Sequence, residues 1–212
     1  MSENVLFRLG VPEALRSEAA ELYEQAFGAK FAVAVRDTDA RRRIITSSLV
    51  LANAVCAIEN EGLIGVAGFK TTDGSLTGGL TVRRLFSQLG VLHGLWATLI
   101  FGLYERSLKP GELLLDGISV RPEQRGRGIG GRLLDELRQY AREHGYKSIR
   151  LDVIDTNPRA RQLYERKGFV ATRTEHFAYL RWLLGFGAST TMILQVYAAA
   201  STTHQTEKPA AE

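Results

Sequence analysis

Arg125-Gly126-Arg127-Gly128-Ile129-Gly130-Gly131 lies between an apolar run, Leu113–Val120, and an amphipathic stretch, Gly131–Glu143. A glycine-rich turn that opens a helix predicts an anion cradle. The first amides of a helix have no intrahelical acceptor, and the positive end of the helix dipole lies behind them. Gly126, Gly128, Gly130 and Gly131 let an anion reach the backbone without meeting a Cβ. Arg121, Arg125, Arg127 and Arg132 surround the turn, which points to a ligand rich in phosphate. Taken alone, the run also fits a basic surface loop, so its flanks decide.

Two phosphate-binding patterns fit these residues. Gly126-x-Gly128-x-x-Gly131 satisfies the dinucleotide fingerprint G-x-G-x-x-G. A dinucleotide turn, however, follows its strand almost at once and opens a longer array of βαβ units. Here residues 121–125 intervene, and roughly half the chain lies upstream. Asp152, which could serve as the ribose-binding acid, falls inside the next strand. No Lys-Ser or Lys-Thr pair follows the glycines, so the Walker pattern is absent at this turn. Arg125-x-x-Gly128-x-Gly130 instead resembles the R/Q-x-x-G-x-G/A signature of GNAT-type acetyltransferases, which hold the pyrophosphate of coenzyme A.

That resemblance continues in order to Phe169. A helix over Gly131–His144 is expected to end at Gly145, a left-handed cap. Strand Ser148–Ile154 follows. Asn157-Pro158-Arg159-Ala160-Arg161-Gln162-Leu163-Tyr164-Glu165-Arg166-Lys167-Gly168-Phe169 then looks like the second signature of the family, N-x-x-A-x-x-L-Y-x-x-x-G-F. Thr156 or Asn157 can cap its helix, with Pro158 in the first turn. The resemblance implies an α/β GNAT fold, a mixed central sheet of about seven strands flanked by helices.

Upstream, the support is pattern. Val5–Leu9 reads as a strand, Pro12–Phe27 as a helix stopped by Gly28, and Asp39–Leu51 as a second helix. Ala54–Glu59 and Leu63–Thr71 read as strands joined by the hairpin-type turn Asn60-Glu61-Gly62. Ser189–Val196 is the expected last strand. The chain of 212 residues is read as one domain over residues 1–197, with an insertion at 72–112 between the third and fourth strands. Residues 198–212, rich in Ala, Thr and Ser, are expected to be a disordered tail.

Within the insertion, Thr81–Leu108 reads as helical with a breaker at Gly90. Its run Leu89–Tyr104 is apolar nearly all round but holds His93 and three glycines in sixteen residues. A membrane span needs about 20 apolar residues, so the expectation is a buried helical hairpin and no span. It is expected to wall the acceptor pocket, to form a homodimer face, or simply to add core. A second apolar segment, Phe177–Phe186, precedes the last strand. Together they favour an amphipathic acceptor over a very polar one.

The net charge of +4 calls for no specific nucleic acid. The single cysteine, Cys56, cannot form an internal disulfide and is read as a buried hydrophobe, which fits a reducing, cytoplasmic compartment. The four histidines lack ligand spacing, so no metal is expected.

The chemistry implied by the resemblance is transfer of an acetyl group from acetyl-CoA directly to an amine of a small molecule or peptide. Ile118 and Val120 are expected to pair their backbone with the pantetheine arm, with the Val120 N–H on the oxyanion. Gln124, Arg125, Gly126, Arg127, Gly128, Ile129, Gly130 and Gly131 are expected to hold the pyrophosphate, and Asn157 the pantetheine region. Tyr164 is the candidate general acid, with a phenol reference pKa of ~10. Asp116 is the candidate base, and strand alternation puts it on one face with Ile118 and Val120. Glu59, His176 or an ordered water are alternative bases. A fold that binds coenzyme A without turnover is the alternative function.

Overall fold

The computed structural model describes residues 5–103 and 107–196. The expected tail and the end of the insertion helix lie outside the described residues. In chain order the elements are β1 (Leu6–Leu9), α1 (Arg16–Ala34), α2 (Thr38–Ser48), β2 (Ala54–Glu59), β3 (Gly62–Thr71), β4 (Gly74–Ser75), α3 (Val82–Leu103) and β5 (Glu112–Val120). They continue with α4 (Ile129–Glu143), β6 (Ser148–Ile154), α5 (Pro158–Arg166), β7 (Val170–His176), α6 (Arg181–Leu184) and β8 (Ala188–Gln195).

The sheet runs β1-β2-β3-β5-β6-β8-β7, with the two-residue β4 paired to β3 off this path. Seven strands therefore form the main path, and the insertion helix follows the short β4. The β5–β6 pair is parallel, whereas every other pairing is antiparallel. Such a mixed sheet is not the doubly wound array that a dinucleotide turn requires.

Alternation along each strand divides the core between two faces. Leu133, Leu134, Leu137 and Ala141 of α4 pack on Ala57, Ala67, Leu113, Leu151 and Met192 on one face. Ala19, Ala20, Leu22 and Tyr23 of α1 pack on Ala54, Cys56, Leu63 and Val66 on the other. Each such leucine, buried completely, contributes about 2 kcal/mol. Asn60 and Glu61 both hold positive φ, 49° and 64°, the geometry of a tight hairpin turn that matches strand twist. Cys56 is fully buried, and its thiol lies 3.4 Å from Gly10 O.

Three features depart from the expected pattern. First, α1 does not stop at Gly28. It continues to Ala34, because Tyr23, Phe27 and Phe31 stack along it at four-residue spacing, with ring centroids 4.6 and 6.0 Å from Tyr23. Tertiary packing outweighs the roughly 1 kcal/mol that an interior glycine costs a helix. Second, α2 ends at Ser48, where Arg16 donates to the carbonyls of Thr46 and Leu49 at 3.1 and 2.8 Å. A guanidinium satisfies these terminal carbonyls in place of a further turn. Third, the insertion is not buried on all sides. Gly90, at φ 76° and ψ 178°, splits α3 into two helices. Leu85, Ala97 and Ile100 pack with Ala34, Val35 and Ile44, but Val91, Leu92, Leu95 and Leu99 face outward. A short helix packed on only two others has no second layer to cover its far side.

Candidate active site

The sheet opens at its centre. β5 and β6 pair only through Glu112↔Ser148, Leu113↔Ile149 and Leu114↔Arg150. Beyond these residues β5 stays with β3 and β6 with β8, so the two strands splay into a wedge. Arg121 N–H donates to Ile64 O at 2.9 Å. In an antiparallel ladder bonded and non-bonded residues alternate. Ser119 therefore pairs with β3, while the N–H and C=O of Ile118 and Val120 point into the wedge. Val120 O there accepts from Arg125 Nε at 3.1 Å.

The register of β3 and β5 shifts between Gly68↔Gly117 and Phe69↔Leu115. Asp116 is the extra residue of this bulge, and that corrects the expectation that Asp116 shares a face with Ile118 and Val120. A bulge reverses the alternation beyond it. Ile118 and Val120 pack against the α4-side core together with Leu113 and Leu115. Ser119 faces α1, where its Oγ donates to Leu22 O at 3.0 Å. Asp116 turns toward α1 and lines a cleft of about 680 Å³. Gly117 fits there because a Cβ would stand 2.1 Å from Phe27 Cζ.

That cleft draws on distant parts of the chain. Tyr23, Phe27 and Phe31 of α1 form one wall, Leu85 and Thr98 of the insertion another, and Phe186 of the second apolar segment closes a third. Among the described residues, Asp73, Asp116 and Asp152 bring carboxylates to it, against one cation, Lys70. Asp116 Oδ2 is buried and accepts no hydrogen bond among the described residues. Burial pushes the Asp116 carboxyl up to about 6, opposed by attraction from Lys70. Burial also raises the Tyr23 phenol, with the Asp116 charge adding to the effect. Tyr23, Phe31 and Lys70 were not named from the sequence, and Phe27 and Phe186 entered only as the ends of an expected helix and of the second apolar segment. The four-residue spacing of Tyr23, Phe27 and Phe31 was the available signal, and it also describes an ordinary core face.

At the other end of the wedge, β5 passes through a 3-10 turn, Pro122–Gln124, into the glycine run. Gly126 and Gly128 hold φ of 84° and 79°, and a Cβ at either would meet nothing within 4 Å. Gly128 is the N-cap of α4. The first helical hydrogen bond runs from Arg132 N–H to Gly128 O, 3.0 Å, so the amides of Ile129, Gly130 and Gly131 have no intrahelical acceptor. Gly130 has a different role: a Cβ there would lie 3.3 Å from Leu163 and 3.8 Å from Ile118. It lets α4 close on α5 and β5.

The ring of arginines is smaller than expected. Arg121 bonds to Leu63 O and Glu18, and Arg132 pairs with Glu136 while lying over the Phe7 ring. Arg127 bonds to Gln124 and forms an ion pair with Glu59 at 2.7 Å. The hydrogen bonds from Arg127 hold the Glu59 carboxyl below its usual range. His176 is exposed on β7 and does not line the cleft.

On α5, Asn157 Oδ1 accepts from Ala160 N–H at 3.2 Å and caps the helix. Tyr164 is buried against Phe169, centroids 5.8 Å apart, and burial pushes its phenol up to about 12. The structure thus brings the turn, Ile118, Val120 and α5 together on the α4 side of the wedge, and sets Asp116 on the α1 side.

Comparison with known proteins agrees with this geometry. A family model described as the acetyltransferase (GNAT) family matches residues 13–169, more than half of the chain. Thialysine N-epsilon-acetyltransferase of Bos taurus is 38% identical over 71 residues, covering 32% of this chain and 42% of that protein. The uncharacterized N-acetyltransferase YhfO of Bacillus subtilis is 39% identical over 56 residues, 26% of this chain and 38% of that one. The chain therefore spans less than half the length of these curated relatives. An N-acetyltransferase structure from Staphylococcus aureus Mu50 aligns with a TM-score of 0.66 at 18% identity, covering 89% of this chain and 100% of the other. YncA from Salmonella typhimurium, whose structure holds its cofactor acetyl-CoA, aligns at 0.57 and 19% identity over 93% and 96% of the two chains. Likeness at these identities establishes the fold, and the family model establishes descent: the chain belongs to the acetyltransferase (GNAT) family.

Proposed function

We propose that the protein is an N-acetyltransferase that moves an acetyl group from acetyl-CoA directly to a primary amine of an amphipathic acceptor. The observation that carries this reading is the wedge. Unpaired helix amides lie at one end, the peptide edges of Ile118 and Val120 along one wall, and a carboxylate-bearing cleft at the other end. The space over Gly126 and Gly128 suits a pyrophosphate, and the edges of Ile118 and Val120 suit an amide-bearing arm. Bound there, acetyl-CoA supplies an activated thioester and a thiolate leaving group.

Gln124, Arg125, Gly126, Arg127, Gly128, Ile129, Gly130 and Gly131 line the pyrophosphate, which is held chiefly by the free amides of Ile129, Gly130 and Gly131. Arg125 uses Nε on Val120 O, and the outer nitrogens of its guanidinium add charge. Ile118 and Val120 orient the arm, and the Val120 N–H faces the developing oxyanion. Asn157 spends its carbonyl on the α5 cap and offers its NH₂ to the arm. Asp116, at about 6, lies near the operating range of a base and takes the proton of the incoming ammonium. Tyr164, at about 12, stays protonated and donates a hydrogen bond to the departing sulfur. With a thiol reference near ~8.5, it stabilises the thiolate more than it transfers its proton. The one cysteine is buried in β2 with its thiol pushed up to about 11 by burial, which supports direct attack without an acyl-enzyme.

Calorimetric titration with acetyl-CoA, desulfo-coenzyme A and NADH, followed by thiol release against an amine panel, tests the reading. Acetyl-CoA and desulfo-coenzyme A binding without NADH binding, and turnover with one amine class, are the expected results. Binding without turnover across the panel would leave a coenzyme A-binding module. Absence of acetyl-CoA binding would overturn the proposal.

A further inference from the structure

The second half of α3 carries an apolar stripe that the fold leaves bare. Val91, Leu92, Leu95 and Leu99 are 70, 82, 62 and 61% exposed, and Trp96 is 44% exposed. Spacing of three and four residues puts Leu92, Leu95, Trp96 and Leu99 on one face of the helix. Ala97 and Ile100, which pack with Ala34, Val35 and Ile44, are buried. Trp96 is held in place by a 3.0 Å hydrogen bond from Nε1 to Val33 O. Two further exposed aromatics, Tyr179 and Trp182, at 73 and 82%, precede Phe186. Phe186 lines the same cleft as Thr98 and Gly102 of α3, so the two segments that carry these apolar groups meet at one cleft. Scattered exposed leucines need no explanation, but a contiguous stripe does.

The charge on these segments narrows the partner. Neither α3 nor residues 177–187 contain Asp or Glu, whereas Arg83, Arg84, His93 and Arg181 are all exposed there. A two-fold contact with a second copy would oppose the same surface on both sides, setting these cations against one another. An anionic bilayer offers acyl chains to the stripe and headgroups to the arginines. No helix of the described residues is long and apolar enough to cross a membrane, so α3 would lie in the interface rather than span it.

We infer that this face seats on an anionic lipid surface, with Leu92, Leu95, Trp96, Leu99 and Trp182 at the acyl boundary and Arg83 and Arg181 at the headgroups. The docking holds the cleft opening close to the bilayer, and it stands independently of the transferase reading.

Trp96 and Trp182 are the chain's two tryptophans, one in each apolar group and both exposed, so intrinsic fluorescence reports their burial directly. Vesicles of phosphatidylcholine and phosphatidylglycerol in equal parts are expected to shift the emission to the blue. They are also expected to co-sediment the protein, less so at high salt. A Leu92→Glu/Leu95→Glu variant, altered only at exposed positions, is expected to keep its circular dichroism and to lose at least about tenfold in vesicle partitioning. Arg83→Glu is expected to weaken binding to the anionic vesicles and to reduce its salt dependence. Absence of vesicle binding by the wild-type chain overturns the inference, as does undiminished binding by the double variant. A dimer in sedimentation that the double variant splits, without vesicle binding, assigns the face to a second copy instead.

Discussion

The two ends of the wedge are built from different material. The phosphate end is backbone: one continuous run, residues 124–131, in which the amides of Ile129, Gly130 and Gly131 have no intrahelical acceptor because a helix begins there. The cleft end is side chain, assembled from α1, β3, β5, β6, the insertion and the segment before β8. Backbone amides recognise an anion whatever the surrounding sequence, provided that glycine supplies the dihedrals. A cleft of side chains from six segments depends on every one of them. On the proposed reading, the difference lets one donor site serve a family while the acceptor site belongs to the individual chain.

Substitutions at the two ends can break that contrast. Asp116→Asn carries the largest expected effect, a loss of about 10²–10⁴ in turnover with acetyl-CoA affinity unchanged in calorimetry. The wild-type rate should climb as pH rises through about 6, where Asp116 ionises, and the variant should lack that limb. Stability should move the other way. A carboxyl raised in the folded state makes the fold less stable as pH rises from about 4 to 6, because the folded state then releases protons late. Asn removes that penalty, so denaturant unfolding at pH 7 should show a gain of up to about 3 kcal/mol that vanishes below pH 4.

Gly128→Val attacks the other end. It should lower acetyl-CoA affinity by about 10²-fold in calorimetry, since it fills the ligand's space and costs roughly 1–2 kcal/mol of backbone strain at φ 79°. Equal losses of turnover and binding in both variants would erase the distinction between the two ends. Tyr164→Phe should reduce single-turnover thiol release by about tenfold and leave binding intact. Asn157→Ala has the smallest expected effect, about 1 kcal/mol of stability from the lost cap, read by thermal unfolding, with a modest rise in KM for acetyl-CoA.

Several parts of this site were legible in the residues alone. The glycine run, the strand before it and the Asn157 helix are local patterns, and each residue's neighbours in sequence are its neighbours in space. Gly145 ends its helix at φ 72°, as its position predicted. Asp116 could be named but not placed. Period-two alternation assigns faces only while the ladder is regular, and the bulge opposite Gly68 and Phe69 has no sequence mark. Arg121 and Arg132 lie near the turn in sequence, but Glu18 and Glu136 draw them elsewhere. Glu59 could be named as an alternative base, but its ion pair with Arg127, distant in sequence, could not be read from the residues.

The sequence by itself determined the family signatures, the phosphate turn and most strands, because hydrogen bonding and glycine dihedrals act over a few residues. Only the tertiary structure decided which face Asp116 occupies, which carboxylates pair, how far α1 runs past Gly28, and that the apolar insertion is bare on one side. Those outcomes depend on contacts between segments far apart in the chain, where packing and charge pairing outweigh local propensity.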